Sequence, residues 1–159
     1  MSKLINLSET NSILHHLLST IRDIKQQNNK FLFRHYLKQI SIILGYELSK
    51  SLSYFEKEVI TPICKTHSKI LIDDFVIAAV LRAAMPMVDG MLDVFIDAET
   101  AFLGEARENN ESGIYINHSY TALPMVKNKI VIIPDPLLAT GRSFAARQGE
   151  TKSVSSSTR

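Results

Sequence analysis

The segment Phe75-Val76-Ile77-Ala78-Ala79-Val80-Leu81 is apolar at every position, with no alternation of polar and apolar side chains. A strand with one face in water alternates, because successive side chains point to opposite sides of the sheet. A short run without alternation predicts a strand covered on both faces, the usual condition inside a parallel α/β sheet. A second run of this kind, Ile130-Val131-Ile132-Ile133, comes late in the chain. Between them, Met85 to Phe95 reads as a helix, with Pro86 in its first turn, where a missing N–H leaves no bond unmade. Thr100 to Leu103 and Ile114 to Ile116 are further strand candidates, joined by a polar loop through Glu108-Asn109-Asn110-Glu111. This order of elements predicts an α/β fold: an open, mainly parallel sheet with flanking helices.

A helical pair precedes the sheet. Ile13, Leu14, Leu17, Leu18, Ile21 and Ile24 recur at helical spacing, as do Phe33, Tyr36, Leu37, Ile40, Ile43 and Leu44. Gln26 to Asn29 separates the two stripes, and the Ser-rich stretch Ser49 to Ser53 predicts a turn. Tyr54 to Thr61 reads as an edge strand that Pro62 ends. At the other extreme, Gln148 to Arg159 holds almost nothing apolar and cannot offset its own ordering entropy by burial. The expected organisation is one folded domain over residues 1–147, followed by a disordered tail over 148–159.

Composition removes classes without choosing a function. With 159 residues, of which 45% are hydrophobic and 21% charged, the chain can bury a core of ordinary globular type. A formal net charge of +2 gives no electrostatic reason to bind nucleic acid or an acidic membrane. No apolar run approaches the ~18 residues a membrane span needs. Met1-Ser2-Lys3-Leu4 does not open a signal peptide, and Cys64, the single cysteine, excludes an intramolecular disulfide. A cytoplasmic protein without a nucleic-acid or membrane partner is the expectation. Cys64 reads as a small, partly buried residue, and the methionines and early aromatic stripe as core. His15, His16, His67 and His118 have no metal-ligand spacing.

The chemistry concentrates after the late strand. There an acid, Asp135, is followed by Pro136, Leu137, Leu138 and Ala139, and then by Thr140, Gly141, Arg142 and Ser143, leading toward a helix-compatible piece. Backbone N–H groups in such a strand-to-helix loop can converge on an anion, and the Thr140 and Ser143 hydroxyls can add donors. Gly141 permits backbone angles closed to other residues. Asp135, at the carboxyl end of a strand, stands where open α/β sheets bind ligands and can accept hydrogen bonds from sugar hydroxyls. The loop is not the common nucleotide P-loop, because its Gly-Lys-Ser/Thr ending is absent. A plain Asp-Pro turn with a helix cap explains the same residues without a ligand. Arg82 closes the first apolar run: its guanidinium at the end of a buried strand needs either an anion such as pyrophosphate or a structural partner, Asp89 or Asp93. Arg107, after the next strand, is either a second cation for the same ligand or a solvated charge beside Glu105 and Glu108.

Taken in order, these pieces resemble the uracil phosphoribosyltransferase family. Leu81-Arg82-Ala83-Ala84 with Val88-Asp89-Gly90 is similar to that family's LRAG segment and the helix behind it. Gly104-Glu105-Ala106-Arg107 resembles its next strand end, and DPLLATGRS, Asp135 to Ser143, its DPMLATGGS signature. The resemblance covers roughly residues 10 to 145. It implies a type I phosphoribosyltransferase fold and an enzyme of pyrimidine salvage, joining uracil to phosphoribosyl pyrophosphate to give UMP and pyrophosphate. It further implies Arg82 and Arg107 on the pyrophosphate, Asp135 on the ribose hydroxyls, Leu138 to Ser143 around the 5′-phosphate, magnesium carried with the pyrophosphate, and a homodimer. An inactive or regulatory homologue, binding phosphoribosylated ligands or a full-length partner, is the alternative. Arg142 and Ala84 stand where the family has Gly, and Pro134 where it has a β-branched residue. No counterpart of the family's C-terminal uracil-reading loop follows Ser143, so the domain is expected to be incomplete at that end.

Overall fold

In the computed structural model, which describes residues 4–26, 28–110 and 113–137, the two leading stripes form helices α1 (Ile13–Arg22) and α2 (Lys30–Ser49). Each starts on a side-chain cap. Ser12 Oγ accepts from Leu14 N at 3.3 Å, and Asn29 Oδ1 from Leu32 N at 3.1 Å, satisfying amides that have no intrahelical partner. Leu14 and Leu17 of α1 pack on Ile40 of α2, so the stripes bury against each other.

Strands β1 (Tyr54–Ile60) and β2 (Lys65–Leu71) form an antiparallel hairpin of their own. Thr61 Oγ1 closes its turn, donating to Cys64 O at 2.7 Å and accepting from Cys64 N at 3.0 Å. Cys64 is exposed there, which corrects the expectation of partial burial. The sequence reading missed β2 for a physical reason. Most of its residues face water, so Lys65-Thr66-His67-Ser68-Lys69 carries no apolar pattern, and the ladder to β1 holds it.

The second sheet comprises β3 (Phe75–Leu81), β4 (Glu99–Asn110), β5 (Gly113–Ala122) and β6 (Ile130–Ile132), in the order β5-β4-β3-β6. Strand β3 runs parallel to both β4 and β6, while β5 returns antiparallel to β4. The polar stretch expected as a loop from Glu108 belongs to the β4–β5 ladder as far as Asn110, because inter-strand backbone hydrogen bonds hold a strand whatever its side chains. The non-alternating run is the middle of the core, with Val76, Ile77 and Ala79 at 0% exposure. Phe75, Ile77 and Ala79 pack on Val88, Met91 and Phe95 of α3 (Met85–Val94) and its end, whereas Val76 and Ala78 meet Ala101 and Val131 on the opposite face.

Helices α2 and α3 cross in contact. An ideal Cβ at Gly90 would lie 2.4 Å from the Lys38 carbonyl oxygen, so only glycine permits this approach. Beside it, buried Ser41 donates its hydroxyl to Met87 O at 2.6 Å. Ser41 faces Met87 and Gly90, and Gly45 faces Met91 and Val94, so the helices run parallel here. The boundary expected at residue 147 and the tail 148–159 lie outside the described residues.

Candidate functional site

Parallel pairing decides where the site lies. The register Phe75↔Ile130 to Ile77↔Ile132 makes β3 and β6 neighbours pointing the same way, so the chain after Leu81 and the chain after Ile133 leave one edge of the sheet. Open parallel sheets bind ligands in this crevice, outside the carboxyl ends of their strands. A groove of about 520 Å³ opens there. Arg82 and Ala83 border it from the β3–α3 turn, Pro136 and Leu137 from the segment after β6, and Phe31 and Arg34 from the start of α2.

Arg82 is exposed, although it directly follows a strand buried on both faces. The Leu81–Arg82 peptide bond is cis. Arg82 forms no ion pair with another described residue: Asp93, one of its two structural candidates, is held by Lys38 at 2.9 Å. The other candidate, Asp89, is exposed on the groove wall. The hydrogen bond from Lys38 to Asp93, with the charges of Asp93 and Asp89, holds the Lys38 pKa above the usual lysine value. Lys38 is thus a committed cation, whereas Arg82 is available to an arriving anion.

Asp135 is exposed beyond β6, and its Oδ1 accepts from Leu137 N at 3.1 Å. That bond folds the chain into the side-chain-capped turn expected of Asp before Pro, and it carries Pro136 and Leu137 to the groove. Arg107 lies within β4 rather than at its end, opposite Ile116 of β5. It comes after Gly104, the last β4 residue paired with β3, and after a β-bulge between Gly104 and Glu105. The strand therefore carries Arg107 past the edge at which β3 stops. Leu138, Ala139, Thr140, Gly141, Arg142 and Ser143 lie outside the described residues.

The sequence reading missed the contribution of α2. Phe33 and Met85 were expected in the core as part of the early aromatic stripe and the methionines; instead they are exposed and line the groove, as does Phe31. One signal was available. Phe31 and His35 sit one helical turn apart off the apolar stripe, and their rings stack at 6.0 Å. Among the described residues, no three His, Cys, Asp or Glu side chains converge as metal ligands, and no helix is long and apolar enough to cross a membrane.

A mixed sheet flanked by helices is the layout of a type I phosphoribosyltransferase-like α/β fold. The family model for uracil phosphoribosyltransferase matches residues 8–152. The chain belongs to that family. It is 32% identical over 143 residues to a uracil phosphoribosyltransferase of Porphyromonas gingivalis, covering 89% of this chain and 66% of the relative. It is 36% identical over 147 residues to one of Clostridium perfringens, covering 91% and 68%. A solved structure of a protein from Aquifex aeolicus superposes with a TM-score of 0.76 at 33% identity, covering 92% of this chain and 69% of that one. The chain thus spans about two thirds of the length of the curated relatives it matches.

Proposed function

We propose that the groove binds phosphoribosyl pyrophosphate and that the protein acts as a uracil phosphoribosyltransferase, forming UMP and pyrophosphate in pyrimidine salvage. The observation that carries this reading is the meeting of Arg82, from the end of β3, with Pro136 and Leu137, from the end of β6, on one groove wall. In the reaction, N1 of uracil bonds to C1 of the ribose while the bond from C1 to the pyrophosphate oxygen breaks. The pyrophosphate leaves with the electron pair, and the N1 proton is lost. Negative charge grows on the leaving group, so fixed cations there stabilise the transition state more than the ground state. Arg82 and Arg107 take that role, Asp135 accepts from the ribose hydroxyls, and the segment Leu138 to Ser143 cradles the 5′-phosphate. Magnesium, carried with phosphoribosyl pyrophosphate, would add positive charge at the leaving group. The protein is proposed to work in the cytoplasm as a homodimer, without nucleic acid, and to fold as one domain over residues 1–147.

Conversion of radiolabelled uracil to UMP in the presence of magnesium and phosphoribosyl pyrophosphate tests the reading. UMP formation above the protein-free background supports it. Binding of phosphoribosyl pyrophosphate without turnover would move the protein to the non-catalytic alternative, and absence of binding would overturn both.

The Arg82 assignment has its own test. Arg82→Lys keeps the charge but loses the planar fork that grips two oxygens at once. It is expected to weaken magnesium phosphoribosyl pyrophosphate by roughly 1.5–3 kcal/mol, the range for a charge-assisted hydrogen bond, and to leave ribose 5-phosphate nearly unchanged. Isothermal titration of both ligands gives the comparison; equal losses would make Arg82 a structural residue.

A further inference from the structure

We infer that Arg34 is a second cation of this groove and holds the pyrophosphate end of the ligand together with Arg82. The inference rests on the reading of the groove as a phosphoribosyl pyrophosphate site and adds to it a residue from a different part of the chain.

Three observations support it. First, Arg34 and Arg82 line the same groove, although one comes from the start of α2 and the other from the β3–α3 turn. Second, the helix crossing brings Arg34 there by construction. Gly45 faces Met91 and Val94, and Ser41, one turn earlier, faces Met87 and Gly90, so the two helices run in the same direction where they cross. The shared direction brings the start of α2 and the start of α3 to the same groove, which Arg34 lines together with Arg82 and Ala83. The tight Gly90 contact keeps this register from sliding.

Third, Arg34 is exposed and makes no ion pair with another described residue. Its neighbours are already engaged: Lys38 holds Asp93 at 2.9 Å, and His35 Nε2 lies 3.0 Å from the Gln39 amide nitrogen while its ring stacks on Phe31. Asp89 is the carboxylate on the groove wall, and neither guanidinium pairs with it. Two guanidiniums facing one acid leave an excess positive charge, which a pyrophosphate with its several ionised oxygens would neutralise.

The test titrates magnesium phosphoribosyl pyrophosphate, magnesium pyrophosphate and ribose 5-phosphate into wild type, Arg34→Gln and Arg34→Lys, with thermal melts as a check on folding. Arg34→Gln is expected to weaken both pyrophosphate ligands about tenfold or more, the effect of one charge-assisted bond, and to leave ribose 5-phosphate within about twofold. Arg34→Lys should recover part of the loss, since the charge returns without the fork. Wild-type binding that Arg34→Gln leaves intact would overturn the inference and spare the site, as would equal weakening of all three ligands. Failure of wild type to bind phosphoribosyl pyrophosphate would overturn the reading of the groove itself.

Discussion

Gly90→Ala is expected to be among the most destabilising single-methyl additions in this protein. The new Cβ would sit 2.4 Å from the Lys38 carbonyl oxygen and 2.8 Å from Ser41 Cβ. One of those atoms is helix backbone, which cannot rotate away as a side-chain tip does, so α2 and α3 must separate. Separation loosens the packing of Met87, Val88 and Met91, which is buried core. Overpacking typically costs about 1–3 kcal/mol, and a backbone obstacle puts this site at the upper end or beyond. The helix-propensity gain of Ala over Gly, about 1 kcal/mol, is too small to reverse the sign. Urea denaturation gives the value. Ser41→Ala, which removes the hydroxyl bonded to Met87 O but leaves the helices in place, is expected to cost only about 1 kcal/mol. A neutral Gly90→Ala would mean that the crossing is looser than the structure has it.

The largest functional effect is expected at Asp135, where two substitutions separate two roles. Its Oδ1 accepts from Leu137 N, which shapes the turn, and its charge is proposed to hold the ribose hydroxyls. Asp135→Asn keeps an oxygen able to cap the turn but gives up the charge; Asp135→Ala gives up both. Two charge-assisted bonds at roughly 1.5–3 kcal/mol each put the loss of affinity for phosphoribosyl pyrophosphate at about 3 kcal/mol or more, a factor above a hundred. Calorimetry should show most of that loss already in Asp135→Asn, with Asp135→Ala adding little. If Asp135→Asn binds like wild type and Asp135→Ala does not, the residue matters only as the cap of its turn.

Much of this architecture is legible in the sequence, and the reason differs from element to element. Strand β3 announces itself because burial on both faces leaves no room for a polar residue, and the apolar stripes Ile13 to Ile24 and Phe33 to Leu44 mark α1 and α2. The hairpin strand β2 is silent, since it gets its stability from backbone pairing to β1 rather than from a buried face. The extension of β4 to Asn110 is hidden for a related reason: the backbone ladder to β5 holds these residues as strand, and Glu108-Asn109-Asn110 carries no apolar pattern to announce it.

The site divides in the same way. Arg82 and Asp135 could be singled out because each directly follows an apolar run, and the end of a parallel strand is where ligands bind. That Arg82 and the Pro136–Leu137 turn after Asp135 border one groove could not be read from spacing, because it depends on β6 pairing with β3 rather than with β4 or β5. Arg34 was out of reach altogether. Its place follows from a helix crossing set by Gly90, and a glycine in a helix does not say which backbone comes close to it. Phe33 and Met85 were misassigned to the core because apolar residues that line an open groove look the same, in sequence, as those that fill an interior.

Hydrogen–deuterium exchange with and without magnesium phosphoribosyl pyrophosphate tests most directly whether the groove between the ends of β3 and β6 is the ligand site. Bound ligand should slow exchange in two separated stretches at once, the β3–α3 turn from Arg82 to Met85 and the segment after β6 that includes Asp135 and Leu137. The hairpin of β1 and β2, which borders no part of the groove, should exchange as before. Protection confined to the hairpin or to α1, or none at either strand end under saturating ligand, would contradict the assignment.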